Sequence, residues 1–335
     1  MVSKIAAKKE LAAVAKELVK KPKGILAMDE STGTIEKRLI AVGLKSTEDV
    51  RRAYREMIVT TKGLGKYVSG TILFDETFWQ KGKDGTRLIG HLKKQKIILG
   101  IKVDTGPKDN PNFSGGKITE GLETLPERLP KYRKDGAKFS KWRAVLTVDF
   151  SKENSKALVE NMIRMAKYAK LCQDNGIVPI PEPEFIMDGS HGIDDCYKKT
   201  KEALTVLFSK MKEEGVYLPG ILLKPNMIHE GKDSKEKNEA AVIAKKTIKV
   251  LKECVPKETG GIVFLSGGLS DDDATNFLKE INKSASDLPW NVSFSYGRAL
   301  QDASLKRFAK LYPGNASEAQ DILLKRAKAC SDAVK

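Results

Sequence analysis

The chain has 335 residues, of which 40% are hydrophobic and 31% charged, as is typical of a soluble globular protein. No stretch approaches the length of a transmembrane helix, and the charged N-terminus lacks the apolar core of a signal peptide, so we expect a cytoplasmic protein without a membrane partner. The formal net charge of +16 is compatible with nucleic-acid binding, but the lysines are mixed with acids and no arginine-rich arm is present, which favours a basic surface that attracts an anionic substrate.

Short apolar runs alternate with amphipathic segments along most of the chain. An N-terminal helix is predicted over about 3–21, before Pro22 and Gly24. Eight runs rich in Ile, Val, Leu and Phe then follow, at 25–30, 70–77, 97–104, 137–146, 176–184, 220–226, 261–268 and 291–300. Helices with cap residues are predicted between them at 46–65, 151–176, 194–215, 234–253 and 270–283, and C-terminal helices at about 302–333. The third and fourth connections are less regular, with a loop inserted at 105–117.

The pattern of these runs predicts an α/β fold. Runs with little alternation are typical of strands buried on both faces of a parallel sheet. Eight of them alternating with helices indicate a closed (β/α)8 TIM barrel at about 24–300, with an extra N-terminal helix and C-terminal helices, in one domain over 1–335. The alternative is a doubly wound open sheet, which would be expected to carry a G-x-G-x-x-G loop that is missing after the early strands.

Histidine and cysteine usage predicts no metal site and no disulfides. Only His91, His191 and His229 are present, and no two lie at i, i+4 spacing. The cysteines are far apart in the sequence, at Cys172, Cys196, Cys254 and Cys330. This spacing favours reduced thiols over a disulfide framework or a zinc cluster.

Most of the predicted strands end in polar residues. These are Asp29 and Glu30, Asp75 and Glu76, Lys102 and Asp104, Lys141 and Arg143, Glu182 and Glu184, Lys224, Ser266, Ser295 and Arg298. Taken alone, each is explained by a strand that reaches water. In a barrel, however, the carboxyl ends of the strands converge on one mouth, where active sites of this fold lie. A mouth with several lysines, arginines and carboxylates suits an anionic substrate.

Lys224 is the least expected of these residues. It ends the apolar run GILLKPN (220–226), where an unpaired buried ammonium group is costly, and Lys102 and Lys141 repeat the pattern. Crowded ammonium groups in a dry site lower one another's pKa. A lysine in such surroundings offers a neutral amine, which can attack a ketone and form a Schiff base. The protonated imine then accepts electrons from a neighbouring carbon–carbon bond as that bond breaks, without a metal.

Three further groups complete this chemistry. Glu182, with Glu184 beside it in PIPEPE, is predicted to have a raised pKa and to act as the acid that expels water. Asp29 is a candidate base for a substrate hydroxyl. SGG (266–268) and SYGR (295–298) follow the last two strands, where this fold usually binds phosphate, although the glycines alone could be turn residues.

The motifs that carry these residues resemble class I fructose-1,6-bisphosphate aldolase. They are ILAMDESTGTIEKRL (25–39), ILFDET (72–77), GIKVD (100–104), KWRAVL (141–146), NGIVPIPEPE (175–184), LLKPNM (222–227), FLSGG (264–268) and SFSYGRALQ (293–301). The resemblance runs from about Lys23 to the last helix. It implies a glycolytic and gluconeogenic lyase that reversibly cleaves fructose 1,6-bisphosphate to dihydroxyacetone phosphate and glyceraldehyde 3-phosphate. It also implies a cytosolic homotetramer that needs no metal or other cofactor.

The resemblance also implies the roles of individual residues. Lys224 matches the Schiff-base lysine, Glu182 the general acid/base and Asp29 the group that acts in carbon–carbon cleavage. The implied catalytic set is Lys224, Glu182, Asp29, Lys141 and Glu184. The implied substrate- and phosphate-binding set is Ser31, Lys37, Arg38, Lys102, Arg143, Ser266, Gly267, Gly268, Ser295, Gly297 and Arg298.

The sequence departs from the family pattern in a few places. Animal and plant members usually carry a mobile C-terminal arm that ends in tyrosine and assists proton transfer, whereas this sequence ends in KACSDAVK. Either the arm is absent, or another group performs that step, or the sequence is truncated, so the expected rate and substrate balance stay open while the imine chemistry does not depend on it. Met28, Thr105 and Pro181 stand where alanine, lysine and valine are usual. We expect these changes to reshape the pocket floor slightly.

Three alternatives to this function remain open from the sequence. Another Schiff-base barrel enzyme, such as a transaldolase or a deoxyribose-phosphate aldolase, would not be expected to combine KWR with two phosphate regions. A basic nucleic-acid or scaffold binder predicts steeply salt-dependent binding. A class II metal aldolase is disfavoured by the number of histidines.

Overall fold

A curled sheet of parallel strands forms the centre of the computed structural model, which describes residues 4–110, 112 and 116–335. The strands within those residues are β1 Gly24–Met28, β2 Val68–Leu73, β3 Ile98–Lys102, β4 Gly106–Asp109, β5 Lys117–Glu120, β6 Phe139–Leu146, β7 Val178–Phe185, β8 Ile262–Phe264 and β9 Val292–Tyr296. Seven of them pair side by side in the order β7-β6-β3-β2-β1-β9-β8. Every pairing in this sheet is parallel, as the uniformly apolar runs predicted.

Residues 221–224 close the sheet into a barrel. On one side, the backbone N–H groups of Leu222 and Lys224 donate to carbonyls of β7 at 3.2 and 2.9 Å. On the other side, the N–H of Val263 in β8 donates to the carbonyl of Leu223 at 2.9 Å. The predicted sixth run therefore takes its place in the TIM barrel, but only as a short segment.

Helices surround the barrel. In the described part of the chain they are α1 Lys4–Leu18, α2 Thr32–Ala41, α3 Glu48–Val59, α4 Asp75–Trp79, α5 Leu88–Lys94, α6 Leu125–Lys134, α7 Lys152–Asp174, α8 Ile193–Glu213, α9 Ala240–Cys254, α10 Asp271–Lys283, α11 Arg298–Leu311 and α12 Ser317–Asp332. Three of the predicted caps form, because the side chains of Thr47, Ser151 and Ser270 each accept a hydrogen bond from the N–H three residues later. None of the described helices is long and apolar enough to cross a membrane.

Helix α1 covers the amino end of the barrel. Its Leu11, Ala15 and Leu18 pack in one buried cluster with residues from the strands, among them Ile25 and Phe139. A second, larger cluster lies between the strands and the outer helices. The amino end is thereby filled with apolar side chains, and the carboxyl end remains for polar chemistry.

Some boundaries differ from the sequence prediction. The eighth run was expected to be extended to residue 300, but β9 ends at Tyr296 and α11 begins at Arg298, with Gly297 as its N-cap. The inserted loop contains an antiparallel hairpin of β4 and β5. The predicted start of the first helix at residue 3, and residues 111 and 113–115 of the loop, lie outside the described residues.

The cysteines and the charged pair Asp75 and Glu76 also have clear positions. All four cysteines are free thiols in the described structure.

Asp75 and Glu76 lie in the first turn of α4, where Asp75 accepts a hydrogen bond from Tyr132 at 2.7 Å and Glu76 pairs with Arg51 at 2.5 Å. These two acids bind side chains of α6 and α3, and so connect helices.

Gly100 in β3 is expected to be sensitive to a single added methyl group. A Cβ at this position would lie 2.3 Å from the ring of Phe139, which fills the barrel interior. Overpacking of this kind costs roughly 1–3 kcal/mol, so Gly100→Ala should lower the free energy of unfolding by about that amount in urea denaturation. Gly33→Ala is the control, because nothing lies within 4 Å of its added Cβ. Equal stability of both variants would contradict the close packing around Phe139.

Candidate active site

Four buried charged residues meet at the carboxyl end of the barrel. Asp29 follows β1, Lys141 lies in β6, Glu182 in β7 and Lys224 at the end of the closing segment. Lys141 Nζ lies 2.7 Å from Asp29 Oδ2 and 3.1 Å from Glu182 Oε2, and Lys224 Nζ lies 2.9 Å from Glu182 Oε1. Asp29 is 9% exposed, Glu182 4%, and the two lysines 3% each. Two lysines and two carboxylates thus neutralise each other in a dry pocket.

The lysines control the acidity of this cluster. Burial alone would raise the pKa of Asp29, but the ammonium groups of Lys141 and Lys224 outweigh it and lower that pKa to about 2. The expected lowering of lysine pKa values by crowding is wrong for Lys141: burial works to lower its pKa, but the carboxylates of Asp29 and Glu182 raise it above its ordinary value. Asp29 is therefore ionised and Lys141 protonated at neutral pH.

The predicted rise in the pKa of Glu182 is wrong. Burial does act to raise it, as expected, but the charges of Lys141 and Lys224 on either side lower the pKa overall. The neighbouring Glu184 was expected to supply like-charge repulsion, but it is bound instead to the guanidinium of Arg143. Glu182 is consequently an ionised carboxylate in the free protein, ready to accept a proton.

Lys102 and Arg143 lie on the neighbouring strands and share a carboxylate. Lys102 bonds to the side chain of Asp104, whose Oδ2 accepts the backbone N–H of Arg143 at 3.1 Å. Burial lowers the pKa of Lys102, as predicted for a lysine in a dry site. Asp104 thereby fixes the ends of β3 and β6 relative to each other.

The predicted phosphate region lies next to these charges. A Cβ built on Gly267 would come within 2.5 Å of Glu184 Oε1 and 3.4 Å of Arg298 Nη2, so the loop after β8 passes directly beside both side chains. Gly268 has a positive φ of 85°, which favours glycine there. Ser266 and Ser295 are buried, and Ser295 Oγ has no hydrogen-bond partner in the described structure. Gly297 caps α11, so unpaired N–H groups are available beside this loop.

The second predicted phosphate region, at and after the start of α2, has its own partners among the described residues, and these are not the four residues of the cluster. Ser31 is the N-cap residue of α2, and its Oγ lies 3.1 Å from Thr34 Oγ1. Arg38 is paired with Glu30 and with Asp302, the latter at 2.7 Å. Lys37 is exposed on the same helix, with no contact to the cluster among the described residues. Arg38 therefore already has carboxylate partners, whereas Lys37 is free to reach toward a ligand.

Sequence reasoning missed the residues that surround Glu30. Arg55 in α3 is only 2% exposed and pairs with Glu30, and Gln301 in α11 bonds to the same carboxylate. The signal available was weak: Arg55 lies between Tyr54 and the apolar residues 57–59, but the helix also carries the charged residues Arg51, Arg52 and Glu56. Among the residues that the structure describes, no group of three or more His, Cys, Asp or Glu side chains is placed to hold a metal ion.

The low pKa of Asp29 predicts a specific loss of stability in acid. Because its folded pKa of about 2 lies below the usual 3.8, its contribution is present above about pH 4 and is lost as the pH falls toward 2. The unfolding free energy of Asp29→Asn should therefore fall by about 2 kcal/mol less between pH 4 and pH 2 than that of the unmodified protein. Denaturant titrations at several pH values measure this. Asp272→Asn is the control, since that side chain is 97% exposed; identical profiles for Asp29→Asn and the unmodified protein would refute the assignment.

Comparisons with known proteins agree on one family. The family model for fructose-bisphosphate aldolase class-I matches residues 10–335. A probable fructose-bisphosphate aldolase class 1 from Xanthomonas axonopodis pv. citri is 45% identical over 95% of each chain. Fructose-bisphosphate aldolase 1 of Toxoplasma gondii is 45% identical over 97% of this chain and 90% of its own. The solved fructose-bisphosphate aldolase of Plasmodium falciparum, in complex with TRAP and an inhibitor, superposes with a TM-score of 0.94 at 41% identity, covering 98% of this chain and 94% of that one.

Proposed function

This chain belongs to the class I fructose-bisphosphate aldolase family, and from that premise we propose which of its residues carry the reaction. As a member of that family, it reversibly cleaves fructose 1,6-bisphosphate to dihydroxyacetone phosphate and glyceraldehyde 3-phosphate through a lysine Schiff base. The observation that carries the assignment of roles is the ion-paired cluster of Asp29, Lys141, Glu182 and Lys224.

Lys224 is the nucleophile in this proposal. Its Nζ attacks the ketone carbon of the substrate, and the proton that it must lose passes to Glu182 Oε1, which lies 2.9 Å away. Glu182 then returns that proton to the leaving hydroxyl, which departs as water when the imine forms. The lowered pKa of Glu182 means that it begins as a carboxylate, so in this proposal it becomes an acid only after it takes up a proton.

Asp29 and Lys141 serve the cleavage step. Asp29 accepts the proton of the substrate hydroxyl as the carbon–carbon bond breaks, and the bond electrons flow into the protonated imine on Lys224. The ammonium group of Lys141 bridges Asp29 and Glu182, and so holds both carboxylates at the reacting carbons. Glu184 orients the guanidinium of Arg143 for substrate oxygens.

The two phosphate groups bind in separate regions at the barrel mouth. Ser266, Gly267, Gly268, Ser295, Gly297 and Arg298 form the site for the phosphate of the dihydroxyacetone half. The unpartnered hydroxyl of Ser295 and the start of α11 beside it support that assignment. Ser31, Lys37 and Arg38 receive the other phosphate, and Lys102 at the end of β3 is a polar group near the reacting centre.

We further propose that the enzyme works as a single-domain, metal-independent homotetramer in the cytosol and that nucleic acid is not its partner. The family uses a Schiff base in place of a metal ion. Relatives from Arabidopsis thaliana that are 44% identical are named cytosolic aldolases. The net charge of +16 favours attraction of an anionic sugar phosphate.

Borohydride trapping tests this proposal. Reduction in the presence of fructose 1,6-bisphosphate should leave a stable adduct on Lys224 in peptide mass spectrometry, with activity lost in step and unchanged by a chelator. Lys199 is the internal control, because it is a buried lysine paired with Glu202 on α8, outside the barrel mouth. An adduct on another lysine, or activity abolished by the chelator, would overturn the proposal.

A further inference from the structure

Glu30 is the centre of a buried polar network beside the catalytic Asp29. Its Oε2 lies 2.7 Å from Arg55 Nη1, an ion pair rather than an aligned hydrogen bond. Its Oε1 contacts the guanidinium of Arg38 and accepts a hydrogen bond from Gln301 Nε2 at 3.2 Å. The Arg55 side chain also donates to the backbone carbonyl of Glu30 at 3.4 Å. Three donors from three helices therefore meet on one carboxylate.

Gln301 links this network to the phosphate region. Its Nε2 donates to the carbonyl of Ala27 in β1 at 2.6 Å and, more weakly, to that of Gly297 at 3.4 Å. Tyr54 in α3 donates to Gln301 Oε1 at 3.0 Å, which fixes the orientation of the amide. Since Gln301 lies one turn into α11, the network connects the start of that helix to the strand end that carries Asp29.

Stability alone does not account for this arrangement. Buried ion pairs recover little more than the cost of removing their charges from water, and apolar residues of similar size often do as well. Arg55 is 2% exposed on α3, and its ion pair is with Glu30, the residue that follows Asp29 in the chain. We therefore link the cost of burying these charges to the placement of the end of β1, which Asp29 follows.

We propose that Arg55 is a positioning residue for Asp29, acting through Glu30 and together with Gln301. This inference rests on the proposed role of Asp29 in bond cleavage. Lys224 and Glu182 lie on other segments of the barrel and have no contact with Arg55 in the described structure. Loss of Arg55 should consequently impair cleavage and leave imine formation intact.

Arg55→Met separates the two steps. A displacement of about 1 Å at a catalytic group costs roughly 10²-fold in rate, so kcat for fructose 1,6-bisphosphate should fall by about that factor. The rate of borohydride trapping with dihydroxyacetone phosphate should stay within about threefold of the unmodified enzyme, because that reaction needs no bond cleavage. Arg55→Lys should restore part of kcat, since it returns the charge but not the second contact.

The control is Arg51→Met, which removes an arginine one turn earlier on α3 that pairs with Glu76 instead. It should leave both rates unchanged. If Arg55→Met fails to fold, Gln301→Met tests the same link from α11 and should show the same split between cleavage and trapping. Parallel loss of both rates, or retention of full kcat, would overturn the inference. Failure of the unmodified enzyme to trap dihydroxyacetone phosphate would instead refute the proposed function.

Discussion

Lys224→Met should lower kcat for cleavage of fructose 1,6-bisphosphate by at least about 10⁴-fold, because it removes the nucleophile itself. The methionine side chain fills nearly the same volume in a buried site, so the barrel should remain folded. Steady-state assays that couple product formation to a dehydrogenase measure the loss. Trapping with borohydride should yield no adduct at position 224, and no other lysine should take its place.

The neighbouring lysine provides the sharpest contrast with this variant. Lys141 is as buried as Lys224 and contacts the same carboxylate, at 3.1 rather than 2.9 Å, so it is the only rival nucleophile in the cluster. Its pKa is raised by Asp29 and Glu182, which keeps its amine protonated and unable to attack a ketone. An adduct on Lys141 in the Lys224→Met variant would reverse the two roles.

Lys199→Met is the matched control for both measurements. Lys199 is 1% exposed and forms an ion pair with Glu202 at 2.9 Å, the same separation as between Lys224 and Glu182. It lies on α8, away from the barrel mouth, so kcat should stay within about twofold of the unmodified value. An equal loss in this variant would indicate that a buried lysine supports activity only through stability.

The barrel could be predicted because its strands are the simplest part of the sequence. Runs such as ILAMDE and GIVFLSGG are apolar on both faces and end in polar residues, and burial on both sides of a parallel sheet requires that pattern. The end of β9 could not be predicted in the same way. Ala299 and Leu300 suit a strand as well as a helix, and the change occurs at Gly297, whose backbone caps α11.

The positions of the charged residues were easier to predict than their electrostatics. The family motifs and strand ends placed Asp29, Glu182 and Lys224 together, as the structure has them. The pKa of Glu182 was predicted in the wrong direction because sequence spacing shows Glu184 beside it, whereas the lysines come from other strands. Arg55 was missed for a related reason, since its partner lies 25 residues earlier in the chain. Long-range contacts decide both cases.

Glu182→Gln is expected to lower kcat by roughly 10²- to 10⁴-fold, the usual effect of removing a general acid or base. The amide cannot take the proton that Lys224 must release, nor return it to the leaving hydroxyl. Imine formation should therefore slow together with turnover, which stopped-flow trapping with dihydroxyacetone phosphate measures directly. This is the opposite of the result expected for Arg55→Met, in which trapping persists.

The matched control is Glu202→Gln, which alters the other carboxylate held 2.9 Å from a buried lysine. That variant should leave both trapping and turnover unchanged, because Lys199 has no part in the chemistry. If Glu182→Gln trapped substrate at the normal rate but failed to cleave it, Glu182 would act only after the imine has formed. Proton transfer from Lys224 would then have to go to Asp29, the other ionised carboxylate in the cluster, and Lys141 would be the residue that relays it.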